Sequence, residues 1–149
     1  MRRIRLRILG GLVLAAGAAA FLIFIAASDC TTVTGNDEVV VDVSAMRPGS
    51  ARLFSYTDDA GKRLRFVLAR GVDGKVRSVF DACRQCSAFH RGYRVAGGEL
   101  ICRVCGNHYP VERMTEGQAS CVPVSLSHKD DSGIVHIKTA DLEAGHTLF

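Results

Sequence analysis

The residues best suited to chemistry in this chain are its cysteines. Five of the six lie between positions 83 and 121, and four of them form two C-x-x-C units. The first unit is Cys83 to Cys86 and the second is Cys102 to Cys105, with fifteen residues between them and fifteen more before Cys121. A tight turn directs two sulfurs the same way, and a second turn completes a tetrahedron about 2.3 Å from a zinc-sized ion. The doubled unit therefore predicts a four-thiolate metal site.

The spacing alone does not identify the metal. Four-cysteine sites hold zinc, a single iron or an iron–sulfur cluster, and soft thiolates also hold cuprous copper. Covalent haem attachment is excluded because Ser87 and Gly106 stand where a histidine would be needed. A Rieske centre needs a histidine within each ligand pair, and neither pair contains one. Without further information, structural zinc is the default.

Other residues near the two units are candidates for roles around a metal. Gly106 directly follows the second unit, and its freedom to adopt positive φ lets the backbone aim N–H groups at the sulfurs. His90 and His108 lie four and three residues after a unit. Each is a candidate ligand or ligand contact, although such histidines are more often partly exposed loop residues. Arg84 and Arg103 lie inside the turns, where they are either simply solvated or offset the negative charge of the thiolates and raise a reduction potential.

The segments that must position the cysteines predict a mainly β domain. Apolar alternation and β-branched runs predict strands at 38–43, 52–57, 63–69, 76–80 and 134–138. Asp73-Gly74 is a hairpin dipeptide, and one helical turn at 141–144 is expected to end at Gly145. Tyr93 and Tyr109 are expected to pack beside a metal-binding ribbon that contains both C-x-x-C units.

The first thirty residues predict a membrane anchor. Four arginines within the first seven positions precede residues 8–27, which carry no charge. A helix of that length spans about 30 Å, the thickness of the hydrocarbon core of a bilayer. The basic flank keeps the N-terminus cytoplasmic and predicts a single-pass protein whose remainder is exported. Cleavage after Ser28 and lipid attachment at Cys30 are alternatives, but the apolar segment is long for a signal peptide and Asp29 is unfavourable before a lipidated cysteine.

The charge belongs to the anchor rather than to the exported part. The 149-residue chain has a net charge of +4, and without its four N-terminal arginines the basic and acidic residues are equal in number. A nucleic-acid-binding domain needs a basic face, so no nucleic-acid partner is expected. We divide the chain into the flank and anchor (1–30), a tether with the first strand (31–49, with the tether over 31–37) and a metal-binding domain (50–149).

Disulfide bonds are the main alternative to a metal, because an exported domain meets an oxidising environment. Five cysteines in the domain is an odd number, and C-x-x-C bridges close small loops that stabilise little. Thiol–disulfide exchange is a further alternative, although no βαβ pattern surrounds either unit. We therefore favour a metal over structural disulfides.

The ordered motifs resemble those of the FtrD-like family of membrane iron–sulfur proteins. They are Phe80-Asp81-Ala82-Cys83-x-x-Cys86, Gly92-Tyr93, Ile101-Cys102-x-x-Cys105-Gly106 and Cys121-x-Pro123. The similarity covers about residues 50 to 149 and extends to the chain's end at Phe149. The family usually has glycines before the last cysteine, where this chain has Ala119 and Ser120.

This resemblance implies a membrane-attached domain that binds an iron–sulfur centre, transfers electrons and supports bacterial iron uptake. Carried over by position, Cys83, Cys86, Cys102 and Cys105 would be ligands, and Cys121 is a fifth candidate. The implied location is the outer face of the inner membrane, with a membrane redox protein or iron permease as partner. Mononuclear iron, zinc and copper stay open as alternative metals.

Two functions therefore compete. The first is a single-pass electron-transfer module that holds iron, alone or in a cluster. The second is a structural zinc module, or a module that delivers copper or another soft metal without a redox role. The sequence contains no nucleophile paired with a base and no phosphate-binding loop, which favours a carrier or metal-binding protein over an enzyme.

Overall fold

The computed structural model describes residues 30–149, so the predicted anchor at 8–27 lies outside the described residues. Within the described part, no helix is long and apolar enough to cross a membrane. The strands of residues 30–149 are β1 (Cys30–Val33), β2 (Glu38–Asp42), β3 (Ser50–Thr57), β4 (Arg63–Arg70), β5 (Val76–Cys83), β6 (Tyr93–Ala96), β7 (Glu99–Cys102), β8 (His108–Pro110), β9 (Pro123–Ser125), β10 (Lys129–Asp131) and β11 (Ile134–Lys138). A short helix, α1 (Thr139–Glu143), and single 3-10 turns at Ser87–Phe89, Val111–Arg113 and His146–Leu148 complete the described chain.

A five-stranded sheet in the order β1-β3-β4-β5-β9 is the centre of the fold. β3 and β4 form a long antiparallel hairpin, and β4 continues into β5 through the predicted turn, where Gly74 has a φ of 77°. Leu64, Phe66 and Leu68 are fully buried on one face of β4, as their alternation predicted. The mainly β prediction is confirmed.

Both faces of the central sheet are covered, because β4 carries apolar residues on both sides. Phe66 belongs to a core formed with the β10-β11-β2 sheet and α1, whereas Val67 belongs to a second core on the opposite face. That second core lies under the β6-β7-β8 sheet, which we call the cysteine ribbon. It contains Cys83, Cys86 and Cys102 together with aliphatic and aromatic side chains.

Two segments differ from expectation. Residues 31–37 were predicted to be a tether, but the first of them belong to β1, which pairs in parallel with β3. Without β1, β3 would be an edge strand with unpaired backbone N–H and C=O groups. The β-branched residues Thr31, Thr32 and Val33 favour a strand, which pairs with these groups. β5 was predicted to end at residue 80, but it continues to Cys83 and so brings the first cysteine to the end of a central strand.

The C-terminal helical turn was predicted to end at Gly145, and α1 ends two residues before it, at Glu143. Gly145 has a φ of −85°, so a left-handed conformation is not the reason for a glycine here. A Cβ at this position would overlap the Phe80 ring, so close packing explains the glycine.

Candidate metal centre

Each C-x-x-C unit lies where a strand ends in a tight turn. The first follows β5, and the Cys86 backbone N–H donates to the Cys83 carbonyl at 3.0 Å. The second follows β7, and the Gly106 N–H donates to the Cys102 carbonyl at the same distance. Gly106 has a φ of 74°, which confirms the predicted conformation. Both units thus follow the end of a strand, but the first turn is closed between residues three apart and the second between residues four apart.

Cys121 reaches the site from a separate loop. The loop is held to the first turn by the Arg84 N–H, which donates to the Val122 carbonyl at 2.8 Å. The Tyr109 hydroxyl donates to the Cys121 carbonyl at 3.0 Å. Within the loop, Ala119 has a φ of 51°, a left-handed conformation that is uncommon for residues other than glycine.

The structure brings all five of these cysteines together. Their sulfurs form two overlapping groups, one of Cys83, Cys86 and Cys121 and one of Cys86, Cys102 and Cys105, and within each group the sulfurs lie within 4.8 Å of one another. Cys86 belongs to both groups and links them. We call these five residues the cysteine cluster, and such a set of soft sulfur donors could hold a metal ion or an iron–sulfur centre. No disulfide joins cysteines within residues 30–149.

The cluster is buried on one side and open on the other. Cys83, Cys86 and Cys102 are 2%, 7% and 3% exposed, whereas Cys105 is exposed to solvent. Water is therefore excluded from the inner sulfurs, while a metal held here would have one ligand at the protein surface.

The thiols differ in acidity. Burial, followed by the neighbouring thiols, raises the pKa of Cys86 far above its usual range, and burial also raises that of Cys121. Burial acts to raise the pKa of Cys105 too, but hydrogen bonds from the Asn107 backbone N–H and neighbouring thiols outweigh it and lower the pKa. Of these three thiols, Cys105 is therefore the one that most readily forms the thiolate, which is the metal-binding form.

A buried carboxylate joins the two halves of the site. Asp81 is 3% exposed, accepts the Tyr93 backbone N–H at 2.5 Å and pairs with Arg65 Nε at 3.2 Å. Burial raises the pKa of Asp81 to about 6, although the Tyr93 N–H and the charges of Arg65 and Arg103 act to lower it. Gly92 has a φ of 62°, and a Cβ there would overlap the Asp81 carboxylate. The motif residues Asp81, Gly92 and Tyr93 thus hold the first cysteine turn against the ribbon, a role that the sequence interpretation did not assign.

The two tyrosines form one wall of the cluster. Tyr93 and Tyr109 are buried and meet edge to face at 5.9 Å between ring centroids, as packing residues beside the ribbon. The Tyr93 hydroxyl has no hydrogen-bond partner among the described residues. Burial raises the pKa of Tyr93, and the adjacent Cys83 raises it further. A metal-bound Cys83 thiolate would accept this hydrogen bond and satisfy the buried group, so the residues present fit a thiolate-held centre.

The candidate histidines lie outside the sulfur groups. His108 Nδ1 lies 2.7 Å from Glu99 Oε2 on the exposed side of the ribbon. His90 is exposed and its Nδ1 lies 3.3 Å from the Leu148 carbonyl oxygen. Neither belongs to a potential metal-binding group of the described chain. Arg84 and Arg103 are exposed at the turns, and Arg103 Nε donates to the Tyr93 carbonyl at 2.9 Å.

Comparison with protein families gives one match. The family described as membrane iron–sulfur containing protein FtrD-like matches residues 46–149, somewhat more than the segment that carries the sequence resemblance. No match was found among curated proteins.

Proposed function

Because the chain belongs to the FtrD-like family of membrane iron–sulfur containing proteins, we propose that it is a membrane-anchored electron-transfer protein. In this proposal the cysteine cluster holds an iron–sulfur cluster or a single iron, and the protein supports iron transport by a membrane partner. The observation that carries the proposal is the convergence of five cysteine sulfurs in two linked groups. An iron centre bound there would supply a one-electron carrier.

The proposed ligands are Cys83, Cys86, Cys102 and Cys105, with Cys121 as an additional or alternative ligand. Three of the five sulfurs are buried, which lowers the local dielectric and keeps water from the centre. Exposed Arg84 and Arg103 lie within the two turns, and positive charge at this position favours the reduced state and raises the reduction potential.

The proposed exchange of electrons takes place at the exposed edge of the cluster. Cys105 is exposed there, next to Val104, and Phe89 is exposed just after the first turn. Exposed apolar side chains beside a redox centre are suited to a short-lived contact with a partner. We propose that the partner is a membrane redox protein or an iron permease, because the predicted anchor confines the domain to the outer surface of the inner membrane.

Reduction of the loaded protein tests the electron-transfer role. Protein isolated without oxygen is expected to absorb in the visible range. Its EPR signal is expected to change when dithionite reduces the protein and to return when the protein is reoxidised. A centre that remains spectroscopically unchanged under reduction and reoxidation would contradict the proposal.

Structural zinc or delivery of a soft metal is the second candidate. The observation that favours it is the position of three cysteines within the second hydrophobic core, where a metal would fasten the ribbon to the central sheet. Removal of structural zinc by a chelator is expected to unfold the ribbon, whereas a delivered metal should leave without loss of fold. Circular dichroism before and after chelation separates these two cases.

A further inference from the structure

A cavity lies beside the cysteine cluster, and none of the five cluster cysteines lines it. It has a volume of about 410 Å³ and is lined by Cys30, Leu53, Arg65, Asp81, Arg91, Tyr93 and Arg103. Volumes of this size accommodate small ligands. Tyr93 forms a wall shared with the cluster, and Arg103 directly follows the ligand candidate Cys102.

The cavity carries an excess of positive charge. Three arginines line it, against one carboxylate, that of Asp81. Asp81 pairs with Arg65 and accepts the Tyr93 backbone N–H, and its one negative charge also attracts Arg103, so three guanidinium groups against one carboxylate leave the cavity with a net positive charge. Among residues 30–149, no carboxylate forms a salt bridge with Arg91 or Arg103.

Hydrogen-bond donors are also left over in the cavity. Arg103 uses Nε to donate to the Tyr93 carbonyl, which fixes the guanidinium and leaves its two terminal nitrogens for another acceptor. The Arg91 guanidinium makes no hydrogen bond to another described residue at the site. Two guanidinium groups with free planar donors match the oxygens of a phosphate group, which each can contact through two hydrogen bonds.

We propose that this cavity binds a phosphate group, with Arg91 and Arg103 as its principal contacts and Arg65 as a supporting charge. The phosphate can come from a lipid headgroup or from a soluble anion. Cys30 lines the cavity and follows Ala27, the end of the predicted span, by three residues, which can cover at most about 10 Å. In the predicted topology the cavity would therefore lie close to the membrane surface, within reach of anionic headgroups. Binding does not depend on a metal in the cysteine cluster.

Titration of the full chain with inorganic phosphate tests the proposal. The protein is kept in an uncharged detergent, and binding is measured by isothermal calorimetry for the wild type and for R91Q, R103Q and R94Q. Arg94 is exposed on β6 but does not line the cavity, so R94Q is the control with the same loss of charge. We expect R91Q and R103Q each to weaken phosphate binding about tenfold, the loss of one charged contact, and R94Q to change it less than twofold.

A second set of titrations identifies the source of the phosphate. The same protein is placed in nanodiscs of phosphatidylcholine alone or of phosphatidylcholine with phosphatidylglycerol. Weaker apparent phosphate binding in the phosphatidylglycerol discs, absent in R103Q, assigns the site to a lipid headgroup, and equal binding in both assigns it to a soluble anion. Absence of phosphate binding to the wild type, or an equal loss in R94Q, overturns the proposal.

Iron content is measured on each of these samples, which keeps the two proposals separate. Iron-loaded protein that fails to bind phosphate contradicts only the anion site, and metal-free protein that binds phosphate contradicts only the electron-transfer role. Thermal unfolding of each variant shows whether the substitutions preserve the fold.

Discussion

Among individual residues, the neighbours of the cysteines determine what the cluster can hold. The Tyr93 hydroxyl is buried without a partner beside Cys83, whereas the Tyr109 hydroxyl donates to the Cys121 carbonyl. An unpaired buried hydroxyl lowers the stability of the metal-free protein, and a bound thiolate would remove that cost. In the metal-free state the Tyr93 hydroxyl therefore lowers the stability of the fold and the Tyr109 hydroxyl raises it, although the two rings are in edge-to-face contact.

The variant Y93F is expected to increase the free energy of unfolding of the metal-free protein by about 1 kcal/mol, because it removes an unsatisfied buried group. The matched variant Y109F should lower it by about 1 kcal/mol, since it removes a satisfied hydrogen bond. Denaturant unfolding of both variants measures the difference. In loaded protein, Y93F should also lower the reduction potential, because a hydrogen bond to a ligand sulfur is lost. Equal destabilisation by the two variants would contradict this account of Tyr93.

Among the structural elements, three segments meet to form the cysteine cluster: the end of β5, the cysteine ribbon and the loop before β9. Asp81 on β5 holds Gly92 and Tyr93 at the start of the ribbon. The Arg84–Val122 hydrogen bond holds the loop. Loss of the Asp81 contacts or of the Arg84–Val122 hydrogen bond is expected to move apart cysteine sulfurs that are distant in sequence.

The junction between β5 and the ribbon can be tested with two glycines of nearly the same conformation. Gly92 has a φ of 62° and Gly97 has a φ of 60°, but a Cβ at Gly92 would overlap Asp81 and one at Gly97 would meet nothing. Both G92A and G97A carry the backbone strain of a left-handed residue. We expect G92A to cost about 1–3 kcal/mol more in unfolding free energy, the usual cost of forcing extra atoms into a packed site. Equal losses would contradict the assigned role of Asp81 and Gly92.

The loop before β9 is tested through its cysteine. If Cys121 is a ligand, C121S should weaken iron binding at least about tenfold and change the visible spectrum. C30S is the matched control, since Cys30 is outside both sulfur groups and should leave iron content unchanged. Full iron content with an unaltered spectrum in C121S would restrict the ligand set to the two C-x-x-C units.

Local patterns explain which parts of this structure were predictable. The alternation of Leu64, Phe66 and Leu68 marks a strand by itself, and the doubled C-x-x-C spacing marks the site. The parallel pairing of β1 with β3, the approach of Cys121 and the contact of Asp81 with Tyr93 all join distant residues. Such contacts depend on the tertiary fold, and no short-range pattern encodes them. The motif Asp81-Ala82-Cys83 gave the one available signal, a carboxylate between the apolar residues Phe80 and Ala82 directly before the first cysteine.

The whole molecule combines a domain without net charge with a basic N-terminal flank. From residue 8 onward the basic and acidic residues balance, so the four preceding arginines provide the net charge of +4. The predicted topology uses this charge for orientation and not for binding. The β domain, with its cluster and its anion cavity, would then face outward next to the membrane.

The orientation can be tested by replacing the four N-terminal arginines with glutamine in the full chain. Loss of the positive flank should reduce the fraction of the domain outside the cytoplasm, because positive residues resist translocation. Protease digestion of intact spheroplasts measures this fraction. The wild-type domain should be degraded and the variant domain largely protected. A wild-type domain that resists protease until the membrane is opened would contradict the proposed topology.

The measurement that tests the central claim most directly is the iron and acid-labile sulfide content of full-length protein purified from membranes without oxygen. The account predicts both elements in stoichiometric amounts for a cluster, or one iron without sulfide for a mononuclear centre, with loss of the iron when Cys86, the residue common to both sulfur groups, is replaced by serine. Colourless protein that contains stoichiometric zinc and neither iron nor sulfide would contradict it.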